Sequence, residues 1–154
     1  MKRIVCFLVC AMLAGSCALA EQQVKLPNSR YVIDVPDWMR FKEDEQYPEI
    51  HAYTSEMMEI DYTSYPREAA LAQDPTGSLR KTAEALAAAG GEAELREING
   101  IEMICFRTVD DADGAPCIGY VFEDEGWMIE VDFWYATQEA ANLTETIISS
   151  IRPE

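Results

Sequence analysis

Turn-forming pairs divide the second half of the chain into short strands, and this pattern constrains the fold more than any other feature. The pairs are Asn99-Gly100, Asp113-Gly114 and Glu125-Gly126. Asn-Gly and Asp-Gly are strong signals for tight β-hairpins, because these residues accept the positive φ that such turns require. The pairs separate four predicted strands, at 94–98, 101–108, 117–123 and 127–135. Consecutive hairpins imply an antiparallel sheet.

Strands are also predicted in the first half, at 31–35, 38–42, 49–54 and 57–63, after a polar lead over 21–29. Pro36 ends the first of them, because proline cannot donate to a strand ladder. Apolar and polar residues alternate along 57–63 and 127–135, which is typical of strands buried on one face. The polar face of 127–135 holds Met128, Glu130, Asp132 and Trp134, so Trp134 is expected to be an exposed aromatic side chain.

Three segments are predicted to be helical. Ser64-Tyr65-Pro66 resembles a helix start and predicts a short helix to about residue 73. A longer helix begins at Ser78 and ends at Gly90-Gly91, and a final helix begins after Thr137 and ends before Pro153. The order of strands, helices, strands and helix predicts an α+β domain, in which an antiparallel β-sheet is flanked by helices.

The N-terminus has the three parts of a secretory signal peptide. Lys2 and Arg3 are followed by an apolar run over 4–13, and Ala18-Leu19-Ala20 offers a small-x-small cleavage site. Cleavage is predicted after Ala20. The chain is therefore divided into a signal peptide, 1–20, and a single acidic α+β domain, 21–154, exported to the periplasm, cell envelope or extracellular space.

A lipid anchor is an alternative fate for this leader. Residues 13–17 read Leu-Ala-Gly-Ser-Cys, which is similar to a bacterial lipobox, and Cys17 would then carry the lipid. The apolar run is about half the length of a membrane-spanning helix. No transmembrane segment is predicted in the mature chain.

The charge of the chain is strongly negative. The net charge is −16, and removal of the two positive charges of Lys2 and Arg3 makes it −18. Nucleic acids are bound by clusters of Lys and Arg, so this charge argues against a nucleic-acid partner. The acidity has two open interpretations, either solubility alone or attraction of cations and basic partners.

No residue pattern indicates a catalytic, cofactor or metal site. His51 is the single histidine, and the G-x-S-x-G motif of many serine hydrolases is absent. Zinc sites built from His and Cys need three or four ligands, and downstream of the leader the sequence offers only His51, Cys105 and Cys117, so no zinc site is predicted. Close carboxylate pairs are expected by chance in a chain with 28 acidic residues, so the sequence argues against an enzyme without excluding one.

Cys105 and Cys117 are the only cysteines left after cleavage at Ala20, in a compartment where disulfides persist. A hairpin centred on Asp111 would place them opposite each other, which predicts a bridge. The alternative is two buried thiols.

Three segments carry a family resemblance: LPNSRYVIDVPDWMRFKEDE near the start, ELREINGIEMICFRTVDDADG in the middle, and GYVFEDEGWMIEVDFWYATQ before the last helix. In this pattern the chain resembles small exported domains of the Mog1/PsbP-like class. The resemblance implies a layered sandwich of an antiparallel sheet and helices, and a role in binding partners rather than catalysis.

These observations together predict a noncatalytic extracytoplasmic binding or interaction module of unknown ligand. A carboxylate-based hydrolase and an accessory subunit of an envelope complex are the alternatives.

Overall fold

The computed structural model describes residues 21–43, 49–69, 78–88, 91–109 and 114–154. They form an α+β domain with antiparallel pairing, as predicted, but the strands make two sheets where one was expected. The strands are β1 (Glu21–Lys25), β2 (Tyr31–Pro36), β3 (Arg40–Glu43), β4 (His51–Thr54), β5 (Met58–Pro66), β6 (Glu92–Ile98), β7 (Ile101–Val109), β8 (Pro116–Asp124), β9 (Trp127–Tyr135) and β10 (Arg152–Pro153). Two helices lie wholly within the described residues, α1 (Leu79–Ala88) and α2 (Gln138–Ile148).

The larger sheet has seven strands in the order β3-β4-β5-β9-β8-β7-β6. Two of its hairpins close at predicted turns. Asn99 and Gly100 have φ of 53° and 78°, and Glu125 and Gly126 have φ of 47° and 86°. Positive φ at both central residues is the geometry of a type I′ turn, whose twist matches that of paired strands.

The smaller sheet joins the two ends of the described domain. β2 lies between β1 and β10, so the polar lead, which was not predicted to be a strand, forms β1. The guanidinium of Arg152 donates two hydrogen bonds to the carboxylate of Asp34, at 2.6 and 2.7 Å. This pair ties the last strand to β2.

The hydrophobic core lies between one face of the large sheet and a layer made of the small sheet and α2. We call this face of the large sheet the inner face. The largest fully buried side chains of the core come from both layers and are Tyr120, Phe122, Phe133, Leu26, Ile33, Met39, Ile60, Met103, Ile129, Ile148 and Ile151. Thr137 caps α2, because its side chain accepts a hydrogen bond from the N–H of Ala140.

The outer face of the large sheet is turned away from this core. α1 packs on β6 and β7 there, and Arg80 of α1 forms a 3.6 Å ion pair with Glu102 of β7. Among the described residues, no helix is both long enough and apolar enough to cross a membrane.

The predicted helix start at Ser64 is wrong. Ser64, Tyr65 and Pro66 belong to β5, where they pair with Ile129, Met128 and Trp127 of β9. Helical geometry begins at Arg67, and the predicted continuation from residue 70 lies outside the described residues. The pairing of the whole of β9 with β5 outweighs the local helix-start pattern.

The predicted opposition of Cys105 and Cys117 is also wrong. Cys105 lies opposite Tyr120, and Cys117 lies opposite Thr108. Tyr120 is three residues beyond Cys117, and an odd shift in register moves a side chain to the other face of a sheet. Cys105 therefore lies in the core, Cys117 lies on the outer face, and both are buried free thiols.

We expect two reactive thiols per chain when unreduced protein of residues 21–154 is denatured and labelled with a maleimide. Cysteines on opposite sheet faces cannot meet the short Cβ–Cβ distance of a disulfide. Intact mass after labelling gives the count. A chain that takes up no label without prior reduction would contradict the register described here.

Candidate functional site

Three carboxylates form a cluster on the outer face of the large sheet, which we call the acidic patch. It consists of Asp61 on β5 and of Glu130 and Asp132 on β9. Asp61 lies directly opposite Asp132, so two like charges share one cross-strand position. Such pairs are destabilising when both groups are ionised. All three residues are partly buried, so water does not screen them fully.

A glycine on the neighbouring strand makes room for the patch. Gly119 of β8 lies opposite both Asp132 and Phe106. A Cβ atom at residue 119 would lie 2.1 Å from Cζ of Phe106 and 2.4 Å from Oδ1 of Asp132. The missing side chain thus leaves a notch in which the ring and the carboxylate approach the backbone.

The buried oxygen in this notch has no hydrogen-bond partner. Among the described residues, no donor satisfies Oδ1 of Asp132. Burial, followed by the charges of Glu130 and Asp61, raises the pKa of Asp132 to about 8. Near neutral pH the Asp132 carboxyl group therefore holds a proton.

The pKa values of the other two carboxylates are raised as well. Burial, followed by the charge of Glu59, raises the pKa of Asp61 to about 6, while a hydrogen bond from the Trp134 side chain opposes this rise. Burial also raises the pKa of Glu130, and a hydrogen bond from Tyr65 opposes it. Trp134 and Tyr65 thus flank the patch and are partly buried.

Among the residues that the structure describes, Lys42 and Arg67 bring positive charge to the border of the patch. Nζ of Lys42 lies 3.9 Å from Oε2 of Glu59, and Nε of Arg67 lies 2.8 Å from Oε2 of Glu123. Among the described residues, no ion pair within 4.0 Å reaches Asp61, Glu130 or Asp132. The patch is therefore an acidic surface that lacks a direct cationic partner within the described part of the chain.

Chemically, this arrangement can hold and exchange a proton. Two carboxylates whose pKa values are pushed apart divide into a protonated and an ionised member, as in many acid–base pairs. Among the described residues, no group of three or more His, Cys, Asp or Glu side chains is arranged to hold a metal ion.

The remaining residues singled out by the sequence lie apart from the patch or at its border. Cys117 is on the same face, opposite Trp134, and burial raises the pKa of its thiol. Cys105 lies in the core. His51 is on the inner face, with its ring stacked between Phe41 and Tyr62. Ala20 and Cys17 lie outside the described residues.

The patch itself was not predicted. The alternation along 57–63 and 127–135 correctly assigned Asp61, Glu130 and Asp132 to polar faces, and it grouped Trp134 with the latter two. The sequence contains no local signal that β5 and β9 are neighbours. The opposition of Asp61 and Asp132 follows from that pairing alone.

Replacing Gly119 with alanine should destabilise the domain by about 1 to 3 kcal/mol, because the new methyl group would overlap the Phe106 ring and the Asp132 carboxylate. Urea unfolding measures the change. The Phe106→Ala background is the control, since part of the overlap is removed and Gly119→Ala should cost less there. Equal costs in both backgrounds would show that the ring does not occupy the notch.

Replacing Asp132 with asparagine should change how stability depends on pH. The folded-state pKa of about 8 lies above the ordinary value of 3.8. A raised pKa means that the folded state binds more protons than the unfolded state, so stability is lost as pH rises toward 8. The stability of wild type relative to Asp132→Asn should therefore fall by roughly 2 to 4 kcal/mol between pH 5 and pH 9.

Unfolding free energies at several pH values test this expectation. Asp37→Asn removes an exposed carboxylate elsewhere and gives the baseline for the loss of one negative charge. A difference between wild type and Asp132→Asn that is constant over this pH range would mean that Asp132 is ionised throughout.

Comparison with known proteins finds solved structures with a similar fold. No protein-family model and no curated protein matches the sequence. The solution structure of cyanobacterial PsbP (CyanoP) from Synechocystis is similar to this chain, with a TM-score of 0.57 and 15% identity over 91% of this chain and 96% of that one. A crystal structure from Bacteroides thetaiotaomicron is also similar, with a TM-score of 0.54 and 11% identity over 81% of this chain and 45% of that one.

Identities this low establish the fold and nothing more specific. The layered arrangement of two antiparallel sheets and flanking helices agrees with the resemblance drawn from the sequence. The chain has a PsbP-like α+β fold.

Proposed function

We propose that the domain of residues 21–154 is a noncatalytic extracytoplasmic interaction module whose acidic patch binds a basic segment of a partner protein. The acidic patch is the observation that carries this proposal. Its central oxygen, Oδ1 of Asp132, is buried and receives no hydrogen bond from the described residues, and Asp61 lies opposite Asp132. A cationic side chain of a partner would pair with the partly exposed carboxyl groups of Asp61 and Asp132, and it would favour the ionised form of Asp132 by offsetting the like-charge repulsion that this ionisation creates.

The flanking aromatic side chains fit the same partner chemistry. Tyr65 and Trp134 border the patch and are partly buried. Lys and Arg side chains are attracted to aromatic faces as well as to carboxylates. The negative charge of the whole chain would also increase the association rate with a basic surface.

The proposed compartment rests on the leader. Lys2, Arg3 and the apolar run that follows support export, with release after Ala20 or lipid attachment at Cys17. The Mog1/PsbP-like resemblance implies binding rather than catalysis, and the PsbP-like fold agrees with that resemblance.

We expect the exported wild-type protein to capture a stoichiometric partner from envelope extract, and the double variant Asp61→Asn/Asp132→Asn to retain at least about tenfold less of it. Quantitative mass spectrometry of the captured material measures this ratio. Intact mass of the bait, taken first, distinguishes a chain that begins at Glu21 from one that carries lipid on Cys17.

The matched control removes two carboxylates elsewhere. Glu84→Gln/Glu139→Gln removes the same number of carboxyl groups from exposed positions on α1 and α2, and it lowers the negative charge at neutral pH at least as much. It should retain the partner. If both double variants lose the partner equally, binding depends on the net charge of the domain and not on the acidic patch. A partner retained equally by all three baits would place the binding surface elsewhere.

A carboxylate-based hydrolase is the second candidate, and the pairing of Asp61 with Asp132 favours it. One member of this pair is protonated and one is ionised near neutral pH, which suits acid–base catalysis. A broad panel of hydrolase substrates distinguishes the two functions. Saturable turnover that Asp132→Asn abolishes would overturn the noncatalytic proposal.

A further inference from the structure

The second surface of interest is the far edge of the large sheet. Within the described part of the chain, β6 is an edge strand that pairs with β7 on one side. The tight turn at Asn99-Gly100 makes Ile98 and Ile101 a hydrogen-bonded pair, and such pairs alternate along an antiparallel ladder. The N–H and C=O groups of Ala93, Leu95 and Glu97 therefore point away from β7.

These outward groups are available for pairing. Among the described residues, no backbone or side-chain hydrogen bond from another element reaches them. An edge strand with free donors and acceptors is a template for another strand, unless its side chains prevent pairing.

The side chains on the inner face of β6 have a pattern that is complementary to itself. Glu94 and Arg96 lie two residues apart, with Leu95 between them on the other face. In an antiparallel pair of two copies centred on Leu95, Glu94 of each copy lies opposite Arg96 of the other. Centring on Glu94 or on Arg96 would instead oppose like charges.

The guanidinium of Arg96 is already held in position for such a contact. It donates to both oxygens of Glu145 on α2, at 2.6 and 3.2 Å. Its Nε faces Oε1 of Glu94 at 3.8 Å. A fixed guanidinium loses little conformational freedom when a second carboxylate approaches.

From this geometry we propose that β6 is a self-association surface, through which two copies of the chain form a two-fold dimer with one continuous sheet. Leu95 pairs with its own copy on the two-fold axis, and Ala93 pairs with Glu97 of the other copy. Glu94 and Arg96 form two symmetric ion pairs at non-hydrogen-bonded positions, where opposite side chains are closest.

The helix above this edge is compatible with the arrangement. α1 contacts both β6 and β7, and neighbouring strands lie about 4.8 Å apart, so its axis would lie about 10 Å from that of its copy. This is close to the usual spacing of packed helices. Ala87 and Ala88 are exposed on α1 and small enough for such an approach.

The opposite edge of the sheet lacks this complementarity. On β3, antiparallel self-pairing centred on Phe41 would oppose Arg40 and Lys42, which repel each other. The inference is therefore specific to β6 and independent of the acidic patch.

Sedimentation equilibrium of the exported protein, from about 5 to 500 µM, tests the proposal, since edge contacts of this size associate weakly. We expect wild type to approach twice the monomer mass with rising concentration. Glu94→Arg and Arg96→Glu should each lower the association constant by at least about tenfold, because each places like charges opposite one another. Mixed in equal amounts, the two variants should form a heterodimer, because every pair is then complementary.

Two further variants separate the edge from the fold. Ala93→Pro removes an outward N–H without touching the ion pairs, and should also yield monomers. Glu145→Gln removes the intrachain partner of Arg96 and keeps the edge charges, so it should still dimerise. Circular dichroism confirms that each variant is folded. If Arg96→Glu does not fold, Ala93→Pro and Glu94→Arg alone still test whether the edge of β6 forms the dimer.

Several results would overturn the inference. A wild type that is monomeric over the whole range excludes it. A dimer that survives both Ala93→Pro and Glu94→Arg uses another surface. Two folded charge variants that stay monomeric when mixed exclude the register centred on Leu95.

Discussion

The pairing of β5 with β9 is the interaction on which the rest of the structure depends. It joins the strands of the first half of the chain to the hairpins of the second half, over nine residue pairs from Met58–Tyr135 to Pro66–Trp127. These partners are distant in sequence, so the pairing carries a large loop-closure entropy. The apolar faces compensate for it, since Ile60, Val131 and Phe133 are fully buried on the inner side.

The same pairing creates the acidic patch. Side chains alternate between the two faces of a strand, so the register that brings Ile60 and Phe133 together in the core also brings Asp61 and Asp132 together outside it. Neither pair can be moved without the other. The domain accommodates the carboxylates by keeping Asp132 protonated near neutral pH. The side chains of Trp134 and Tyr65 favour the ionised forms of Asp61 and Glu130, respectively. A carboxyl pair at the centre of a well-packed sheet that cannot fully ionise without like-charge repulsion is a reason to look for a cationic partner there.

Local signals in the sequence were enough for most of the fold. The turns at Asn99-Gly100 and Glu125-Gly126, and the alternation along 127–135, correctly predicted hairpins and buried faces, because these features depend on a few neighbouring residues. The predictions failed where contacts with residues distant in the sequence determine the local structure. Ser64 begins a plausible helix by itself, yet β9 holds it in a strand, and the polar segment of β1 becomes a strand because β2 offers an open edge. The predicted register of β7 and β8 was wrong because the segment that connects them spans residues 110–115, so the hairpin is not centred on Asp111. The acidic patch depends on the β5–β9 pairing and could not be derived from either segment alone.

The two surfaces described above lie in different parts of one sheet, and symmetry would link them. A two-fold axis perpendicular to the sheet keeps the outer faces of both copies on the same side, so both acidic patches of a β6 dimer would face one direction. From β9 to its copy the continuous sheet crosses seven strand spacings of about 4.8 Å, which places the patches about 34 Å apart along the sheet. A partner with two basic segments at that spacing would bind the dimer more tightly than the monomer, because the second contact forms at a high effective concentration. Weak edge pairing of this kind would therefore be reinforced by a bivalent partner, and weak electrostatic binding would in turn be reinforced by the dimer.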